Sequence, residues 1–382
     1  MNGASSIAFV AGEASGDLLA AGVLDELKRR EPETRLCGVG GDRMIAAGFD
    51  AWHHVRELSV RGYVEVLRHL PRLLRLRSEL LQRVSTLRPR VFVGVDAPDF
   101  NLGLEEKLRA RGVRTVQMVS PSVWAWRRER LEQIRRAVDR MLLVFPFEQA
   151  LYDDAGIPAT YVGHPLAAVI PLVPDAAAAR ARLGLARDAT LVAVLPGSRP
   201  DEVRFLAPIF VDAMAQMKNA APGLSFVLPV ADESLRPMIE AALRRHPQLA
   251  GCVALAAGRS HDCLEASDVV LVASGTATLE AALYKRPMVV SYRTPWLSAW
   301  IIRRKGYIPY VGLPNIMAGE FVVPEFLQEA ATPPALARAV LDQLADDAGR
   351  AKLAARFTEM HHALRRDTPR LAADAILAEA NR

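Results

Sequence analysis

The chain has 382 residues, of which 51% are hydrophobic and 24% charged, a composition that excludes a disordered chain. At the usual domain size this length holds about two to three domains with full cores. Its three cysteines, Cys37, Cys252 and Cys263, are widely spaced, which disfavours both a disulfide framework and a structural zinc site. This cysteine usage fits a reducing, cytoplasmic compartment. We expect no signal peptide and no membrane span, and therefore a protein that is soluble or at most peripheral to a membrane.

Short apolar, β-branched runs alternate with longer helical patterns along the whole chain. This alternation is typical of parallel sheets built from βαβ units, whose strands are covered on both faces. We therefore predict an α/β fold of two doubly wound domains with a helical C-terminal tail. Strands are predicted at residues 7–11, 35–39, 91–95, 115–119, 141–144 and 160–162, and then at 190–195, 224–230, 252–255, 269–272 and 288–292.

Three prolines interrupt residues 163–175 before an alanine-rich helix begins at Ala176, which indicates a linker between the domains. We predict a first domain at 1–165, a linker at 166–175, a second domain at 176–333 and C-terminal helices at 334–382. These helices either finish the second domain, pack back on the first or are exchanged in a dimer.

In doubly wound domains ligands bind beyond the carboxyl ends of the strands, so the residues that follow each strand are the candidates for chemistry. After the first strand comes GEASGD, residues 12–17, in which Gly12 and Gly16 allow close backbone approach and Ser15 or Asp17 is a candidate helix cap. An ordinary tight turn is the alternative. The GVGG at residues 38–41 is not followed by a clear helical pattern, and no P-loop is present, so neither hydride transfer nor P-loop hydrolysis is favoured.

Asp96 directly ends the third predicted strand, where an acid is costly to bury without a partner or a purpose. It is our candidate for a catalytic base that meets a substrate hydroxyl. For Asp99 and Asn101 we favour a structural role, as N-caps of a helix that begins near Leu102.

Two loops of the second half combine a strand end with a helix start. In Pro196-Gly197-Ser198-Arg199, the backbone amides, the serine hydroxyl and the guanidinium suit a pyrophosphate, and Glu202 enters the following helix. In the second loop, Ser274-Gly275-Thr276 precedes a helix whose Glu280 suits two ribose hydroxyls. Together the two loops favour a nucleotide diphosphate site over a pair of structural turns.

The eight histidines do not cluster at metal-ligand spacing. His53-His54 and His361-His362 are adjacent pairs, and we expect surface positions for them. His164, in the linker region, is either a ligand contact between domains or a structural residue.

Residues 61–90 carry eight arginines and two glutamates, whereas the net charge of the whole chain is only +5. Leucines and valines recur at helical spacing through this segment, with Pro71 as the start of a second helix. A basic amphipathic helix binds an anionic membrane surface, although its leucines could equally belong to the core. Nucleic acid is disfavoured because aromatic residues are not interleaved with the arginines. The candidate membrane-facing residues are Val66, Leu67, Arg68, Leu70, Arg72, Leu73, Leu74 and Arg75.

Six motifs, collinear over nearly the whole chain, together resemble the lipid-A-disaccharide synthase family. They are GEASGD (12–17), VGVDAPDFN (93–101), SPSVWAW (120–126), LPGSR (195–199), SGTATLEAAL (274–283) and LPNIMAG (313–319). The resemblance implies an inverting glycosyltransferase of GT-B architecture, with a UDP site in the second domain and no metal or other cofactor. The implied substrates are UDP-2,3-diacylglucosamine and 2,3-diacylglucosamine 1-phosphate, and the implied place is the cytoplasmic face of the inner membrane.

By this resemblance Asp96 is the base, Arg199 binds the pyrophosphate, Asn315 lies in the nucleotide-side loop and Glu280 holds the ribose. The complete predicted binding set is Gly12, Glu13, Ser15, Gly16, Ser198, Arg199, Glu202, Ser274, Gly275, Thr276, Glu280 and Asn315. The alternatives are a UDP-N-acetylglucosamine 2-epimerase and a non-catalytic lipid or nucleotide-binding protein. A homodimer is left open.

Overall fold

The computed structural model describes residues 5–58, 63–294 and 307–382, without the side chains of Ala14 and residues 63–69. The chain divides into two compact units. Unit 1 consists of the residues up to Ala168 together with Leu364–Arg382, and unit 2 is Val169–Ala363. The helices that follow residue 333 are thus shared between the two units.

Unit 1 is built on a parallel sheet of seven strands in the order β3-β2-β1-β4-β5-β6-β7. The strands are β1 (Ser6–Ala11), β2 (Arg35–Gly40), β3 (Asp50–His54), β4 (Val91–Val95), β5 (Arg114–Met118), β6 (Arg140–Leu143) and β7 (Ala159–Tyr161). The helices are α1 (Ala14–Arg30), α2 (Asp42–Ala46), α3 (Tyr63–Leu87), α4 (Pro98–Arg109), α5 (Arg130–Ala137), α6 (Glu148–Asp154) and, at the boundary, α7 (Pro165–Val169).

Unit 2 contains a second parallel sheet, of six strands in the order β10-β9-β8-β11-β12-β13. The strands are β8 (Leu191–Leu195), β9 (Ser225–Val230), β10 (Val253–Ala257), β11 (Val269–Ala273), β12 (Met288–Tyr292) and β13 (Glu325–Leu327). The helices described here are α8 (Ala176–Leu183), α9 (Pro200–Ala220), α10 (Arg236–Leu243), α11 (Ser260–Ala266), α12 (Thr276–Leu283), α13 (Leu313–Ala318), α14 (Pro333–Ala345) and α15 (Asp347–Leu364).

The last helix, α16 (Thr368–Ala380), returns to unit 1 and packs against α1 and strands β4, β5 and β6. Its Ile376 is fully buried in the same apolar cluster as Phe9 and Leu24. Two ion pairs hold its middle and its C-terminal end: Arg30 Nη1 lies 2.5 Å from Asp374 Oδ1, and Arg140 Nε lies 2.7 Å from the buried Glu379 Oε1. The C-terminal helix therefore covers part of the N-terminal sheet, beside α1.

The predicted α/β fold class is confirmed, and all eleven predicted strands are present. Two further strands, β3 and β13, were not predicted. Both lie at a sheet edge and are only partly buried, so neither has the continuous apolar run of a central strand.

Three local predictions about helices are wrong. Helix α3 continues from Tyr63 to Leu87 through Pro71 instead of starting again there, because a proline interrupts only one backbone hydrogen bond of a helix that is otherwise anchored. A short helix, α2, does follow GVGG. The proline-rich linker also contains a short helix, α7, which Pro165 begins.

Candidate functional site

Three neighbouring strands of unit 1 end at the same level, because Ala11 is paired with Val95 and Val95 with Met118. The residues that follow these ends are Gly12, Asp96 and Val119. Asp96, Ala97 and Val119 have φ values of 57°, 42° and 74°, a left-handed conformation that residues other than glycine seldom adopt. Such strain is retained where the surrounding structure enforces it, and it is concentrated at functional sites.

The Asp96 carboxylate is half-buried and fixed at both oxygens. Its Oδ1 accepts a hydrogen bond from the Ala97 amide at 2.8 Å, and its Oδ2 accepts one from the Ser15 hydroxyl at 3.1 Å. The main-chain carbonyl of Asp96 accepts from Asn101 Nδ2 at 2.9 Å and from Gln117 Nε2 at 3.1 Å. Main chain and side chain of Asp96 are therefore both oriented by neighbouring residues.

The GEASGD loop packs directly on the Asp96 turn, which explains its two glycines. A Cβ on Gly12 would lie 2.0 Å from the Cβ of Ala97, and one on Gly16 would lie 3.3 Å from the Val95 carbonyl. Ser15 and Glu13 are exposed in this loop. Sequence reasoning attributed the glycines to the approach of a ligand, whereas the structure shows them making room for the neighbouring turn.

The capping predictions for this edge are wrong. Helix α4 begins at Pro98 with Ala97 as its N-cap, so Asp99 and Asn101 lie inside its first turn. Neither Ser15 nor Asp17 caps α1, whose N-cap is Glu13 without a side-chain hydrogen bond. Asp17 instead accepts hydrogen bonds from three amides at the start of α2, those of Gly41 (2.8 Å), Arg43 (3.1 Å) and Met44 (3.1 Å).

In unit 2 the loop after β8 places Ser198 and Arg199 on the surface, with 68% of the Arg199 side chain exposed. The amides of Ser198 and Arg199, predicted to bind a pyrophosphate, both donate to Glu202 Oε2, at 3.0 and 3.3 Å. Arg199 Nη1 lies 3.1 Å from the other carboxylate oxygen of Glu202. Glu202 thus stabilises the loop from within, and the guanidinium is the group of this loop that extends outward.

The loop after β11 lies beside it, since Leu195 is paired with Val272. Gly275 has φ 144°, a conformation suited to glycine, and it is exposed together with Thr276 at the start of α12. Ser274 donates to the Val311 carbonyl at 2.8 Å, and Thr278 Oγ1 accepts from the Leu313 amide at 3.0 Å. These hydroxyls join the SGTATLEAAL and LPNIMAG motifs, a role of Thr278 that the sequence did not indicate.

Asn315 and Glu280 have different environments. Asn315 is fully buried: its Nδ2 donates to Val323 O and Glu325 Oε1, and its Oδ1 accepts from the amides of residues 322 and 323. All four of its hydrogen-bonding positions are used within the protein, so it shapes the loop and is not exposed for a ligand. Glu280 is half-buried, with Oε1 3.8 Å from Nε2 of His261, and this carboxylate raises the pKa of His261.

The histidines divide into exposed and buried positions. His361 is fully buried with Nδ1 2.6 Å from Lys285 Nζ, so the surface prediction is wrong for it, while its neighbour His362 is exposed. His53 and His54 are only partly buried and lie beside carboxylates. His164 accepts a hydrogen bond from the Leu166 amide, and burial lowers the pKa of His164 to about 4. A structural role therefore fits His164.

Helix α3 presents two apolar faces. Leu76, Leu80 and Val84 are buried in the core, whereas Leu70 and Leu74 are 41% and 45% exposed. Leu73 is half-buried, Arg75 is exposed, and Arg72 is exposed with a hydrogen bond from Nη2 to the Glu57 carbonyl. The side chains of Val66, Leu67 and Arg68 lie outside the described residues. No helix in the described ranges is long and apolar enough to cross a membrane.

Among the described residues, no group of three or more His, Cys, Asp or Glu side chains is arranged as metal ligands.

The fold resembles solved structures over nearly the whole chain. Acinetobacter baumannii MurG superposes with a TM-score of 0.58 at 12% identity, covering 98% of this chain and 99% of that one. CalG4, the calicheamicin glycosyltransferase, superposes with 0.61 at 16% identity, covering 100% and 99%. A UDP-GlcNAc 2-epimerase from Neisseria meningitidis, bound to UDP-GlcNAc, superposes with 0.61 at 12% identity, covering 98% and 99%. The two parallel-sheet units thus have the GT-B fold.

Sequence comparison gives the family. The model of the family "Lipid-A-disaccharide synthetase" matches residues 7–378. The lipid-A-disaccharide synthase of Paraburkholderia phytofirmans is 54% identical over 371 residues, 97% of this chain and 95% of that protein, and that of Burkholderia vietnamiensis is 52% identical over 372 residues with the same coverage. The chain belongs to the lipid-A-disaccharide synthetase family and is a glycosyltransferase of lipid A biosynthesis, as the motifs predicted.

Proposed function

We propose that the enzyme transfers the diacylglucosamine of UDP-2,3-diacylglucosamine to 2,3-diacylglucosamine 1-phosphate, giving the β-1,6 disaccharide 1-phosphate and UDP. Family membership supports this reaction, because it restricts the products to those of lipid A synthesis. The observation that carries the mechanism is the strained, doubly hydrogen-bonded Asp96 at the carboxyl edge of the unit 1 sheet. We assign the acceptor sugar to unit 1 and the UDP-sugar to unit 2.

In this mechanism the 6-hydroxyl of the acceptor attacks the anomeric carbon opposite the UDP, and Asp96 removes the hydroxyl proton. A single displacement of this kind inverts the anomeric configuration. Ser15 and the Ala97 amide direct the Asp96 carboxylate by donating to one oxygen each. General base catalysis requires such orientation, since the base must lie within hydrogen-bond reach of the proton that it takes.

The leaving diphosphate is stabilised in unit 2 without a metal ion. The exposed Arg199 guanidinium supplies a charge-assisted hydrogen bond. The N-terminus of α12 is exposed at Gly275 and Thr276, so its amide dipoles are directed toward an anion bound there. Glu280, at the next turn of α12, accepts from the ribose hydroxyls. Ser198, Glu202, Ser274 and Asn315 contribute by holding these loops in shape.

Helix α3 docks the enzyme on the cytoplasmic face of the inner membrane. Both substrates are diacyl amphiphiles, and removing their chains from a bilayer costs about 0.8 kcal/mol per methylene. The exposed Leu70 and Leu74, next to the exposed Arg72 and Arg75, form a surface suited to an anionic leaflet. Docking there lets the acyl chains remain in lipid during the reaction.

The experiment is to measure UDP release in detergent micelles with donor alone, acceptor alone and both sugars, in the presence of a chelator. UDP release only with both substrates, an unchanged rate with chelator and a β-linked product by NMR are expected. Release from the donor alone would contradict the proposal and indicate a hydrolase. Conversion of UDP-N-acetylglucosamine without an acceptor would contradict it and favour an isomerase. An α-linked product would contradict the single displacement.

A further inference from the structure

Three polar side chains are fully buried behind the Asp96 turn. Asn101 and Glu105 come from α4 and Gln117 comes from β5, and each has no exposed surface. All three surround Gly94 of β4. If Gly94 carried a Cβ, that atom would lie 2.4 Å from Gln117 Oε1, 2.4 Å from Glu105 Oε1 and 3.0 Å from the Cβ of Asn101. The absence of a side chain at Gly94 therefore makes room for this group.

The orientation of the Gln117 amide is fixed by its nitrogen. Nε2 lies within hydrogen-bond distance of three main-chain carbonyls, those of Asp96 (3.1 Å), Met118 (3.2 Å) and Val119 (3.3 Å). Two of these carbonyls belong to the strained residues Asp96 and Val119. Because a carbonyl accepts and does not donate, Gln117 cannot rotate its amide by half a turn, and Oε1 must point toward Gly94 and Glu105.

The oxygens at this place are poorly supplied with donors. Within the described part of the chain, Gln117 Oε1, both carboxyl oxygens of Glu105 and Asn101 Oδ1 are buried without a hydrogen-bond partner. An ionised carboxylate beside an amide oxygen would leave acceptors facing acceptors in an apolar interior, which is a costly arrangement. A proton on Glu105 supplies the missing donor.

The surroundings of Glu105 favour its neutral form. Gly94 of β4, Gln117 of β5 and Asn101 of α4 meet Glu105 at this place, and none of the three carries a charge. Burial raises the pKa of Glu105 well above its usual range, and this effect outweighs the opposing one of the Gly94 amide, which favours the charged form. Burial without a charged partner favours the protonated form of a carboxyl group.

We propose that Glu105 is a neutral acid whose hydroxyl donates to Gln117 Oε1, and that this bond makes Glu105 a positioning residue for Asp96. Glu105 orients the Gln117 amide, and the Gln117 amide in turn holds the main-chain carbonyls of Asp96, Met118 and Val119 at the ends of β4 and β5. The proposal rests on the assignment of Asp96 as the base, but the protonation of Glu105 is tested independently of activity.

The first measurement is infrared difference spectroscopy of the wild-type enzyme and Glu105→Gln at neutral pH. The wild type is expected to show the carbonyl band of a buried, protonated carboxylic acid, and that band is expected to disappear in the variant. Finding only carboxylate bands for Glu105 would overturn the proposal, whatever the function of the enzyme. Circular dichroism of Glu105→Gln checks that the variant is folded, so that the lost band is that of Glu105.

The second measurement compares kcat and KM for Glu105→Leu, Glu105→Gln and Leu104→Ala. Leu104 is fully buried on the same helix, so its truncation is a control for lost packing. Glu105→Leu removes the donor, and kcat is expected to fall by about ten- to a hundredfold while KM for both sugars stays within about twofold. The amide of Glu105→Gln still donates to Gln117 Oε1, so kcat is expected to recover most of this loss, and Leu104→Ala is expected to lower stability rather than kcat.

If Glu105→Gln were as slow as Glu105→Leu, or Leu104→Ala as slow as either, the positioning role would be wrong. If the infrared band behaves as expected but Asp96→Asn is fully active, the protonated pair stands and the assignment of Asp96 as base fails. The two hypotheses therefore fail separately.

Discussion

The Ser15 hydroxyl donates to Asp96 Oδ2 at 3.1 Å, joining two loops that are 81 residues apart in the chain. The loops meet because β1 and β4 are adjacent parallel strands whose last residues, Ala11 and Val95, are paired. The second carboxylate oxygen accepts from the Ala97 amide, so the side chain has one defined orientation.

Asp96→Asn is expected to reduce kcat by about 10²- to 10⁴-fold, since the amide cannot take the proton of the attacking hydroxyl. Because Asn preserves the shape of the side chain, UDP binding measured by calorimetry is expected to remain as in the wild type. A variant that lost only UDP affinity, or that kept its turnover, would show that another group is the base.

Arg199→Ala is expected to weaken UDP binding by about 1.5–3 kcal/mol, the range for a hydrogen bond to a charged group. Calorimetric titration with UDP measures this change. Arg204→Ala is the matched control, because Arg204 lies in the first turns of α9, the helix that Arg199 precedes, is 63% exposed and pairs with Asp201. Equal losses in the two variants would indicate a general effect of charge and place the diphosphate elsewhere.

Replacing both Leu70 and Leu74 by serine is expected to weaken binding to vesicles that contain anionic lipid, without loss of stability, because both side chains are exposed. Flotation of vesicles with the bound enzyme measures the association. Leu80→Ala is the contrasting variant on the same helix: Leu80 is fully buried, and its truncation is expected to cost about 2–5 kcal/mol of stability. Unfolding of the double variant would assign its leucines to the core.

Asn315→Ala is expected to lower the free energy of unfolding by about 1–3 kcal/mol for each buried group that it leaves without a partner. The main-chain amides of Val322 and Val323 and the carboxylate oxygen Oε1 of Glu325 would each lose their hydrogen bond to Asn315. Denaturant titration measures the change. Glu320→Gln, at a side chain that is 59% exposed, is expected to stay within about 0.5 kcal/mol of the wild type. An equally stable Asn315→Ala would mean that these bonds contribute little, and would favour a ligand role.

The lowered pKa of His164 leads us to expect that the folded protein loses stability in acid. Its pKa is about 4 in the folded protein against 6.5 for the ordinary side chain, so between these values the unfolded state binds a proton that the folded state does not. Stability is therefore expected to fall as the pH falls from about 6.5 to about 4. His164→Asn keeps an acceptor for the Leu166 amide but does not titrate, and it is expected to flatten this part of the pH profile.

Thermal unfolding at a series of pH values measures that difference, with His362→Asn, at an exposed position, as the control. If His164→Asn and the wild type lost stability in parallel, another group would be responsible for the acid sensitivity.

The central strands could be predicted from the sequence because strands buried on both faces are apolar throughout, whereas the partly exposed edge strands β3 and β13 lack that pattern. Pro98 was a usable signal for the start of α4, since proline favours the first helical position. The satisfied Asn315 and the buried Glu105 could not be predicted, because their surroundings depend on residues that the fold brings together.

The position of α16 on the N-terminal sheet has a consequence for biosynthesis. A ribosome must translate the whole of unit 2 before it reaches the residues that cover Phe9 and Leu24, so the part of the enzyme that carries Asp96 is begun first and completed last. Until Ile376 emerges, the part of the apolar surface that α16 covers beside α1 stays open to solvent and to chaperones.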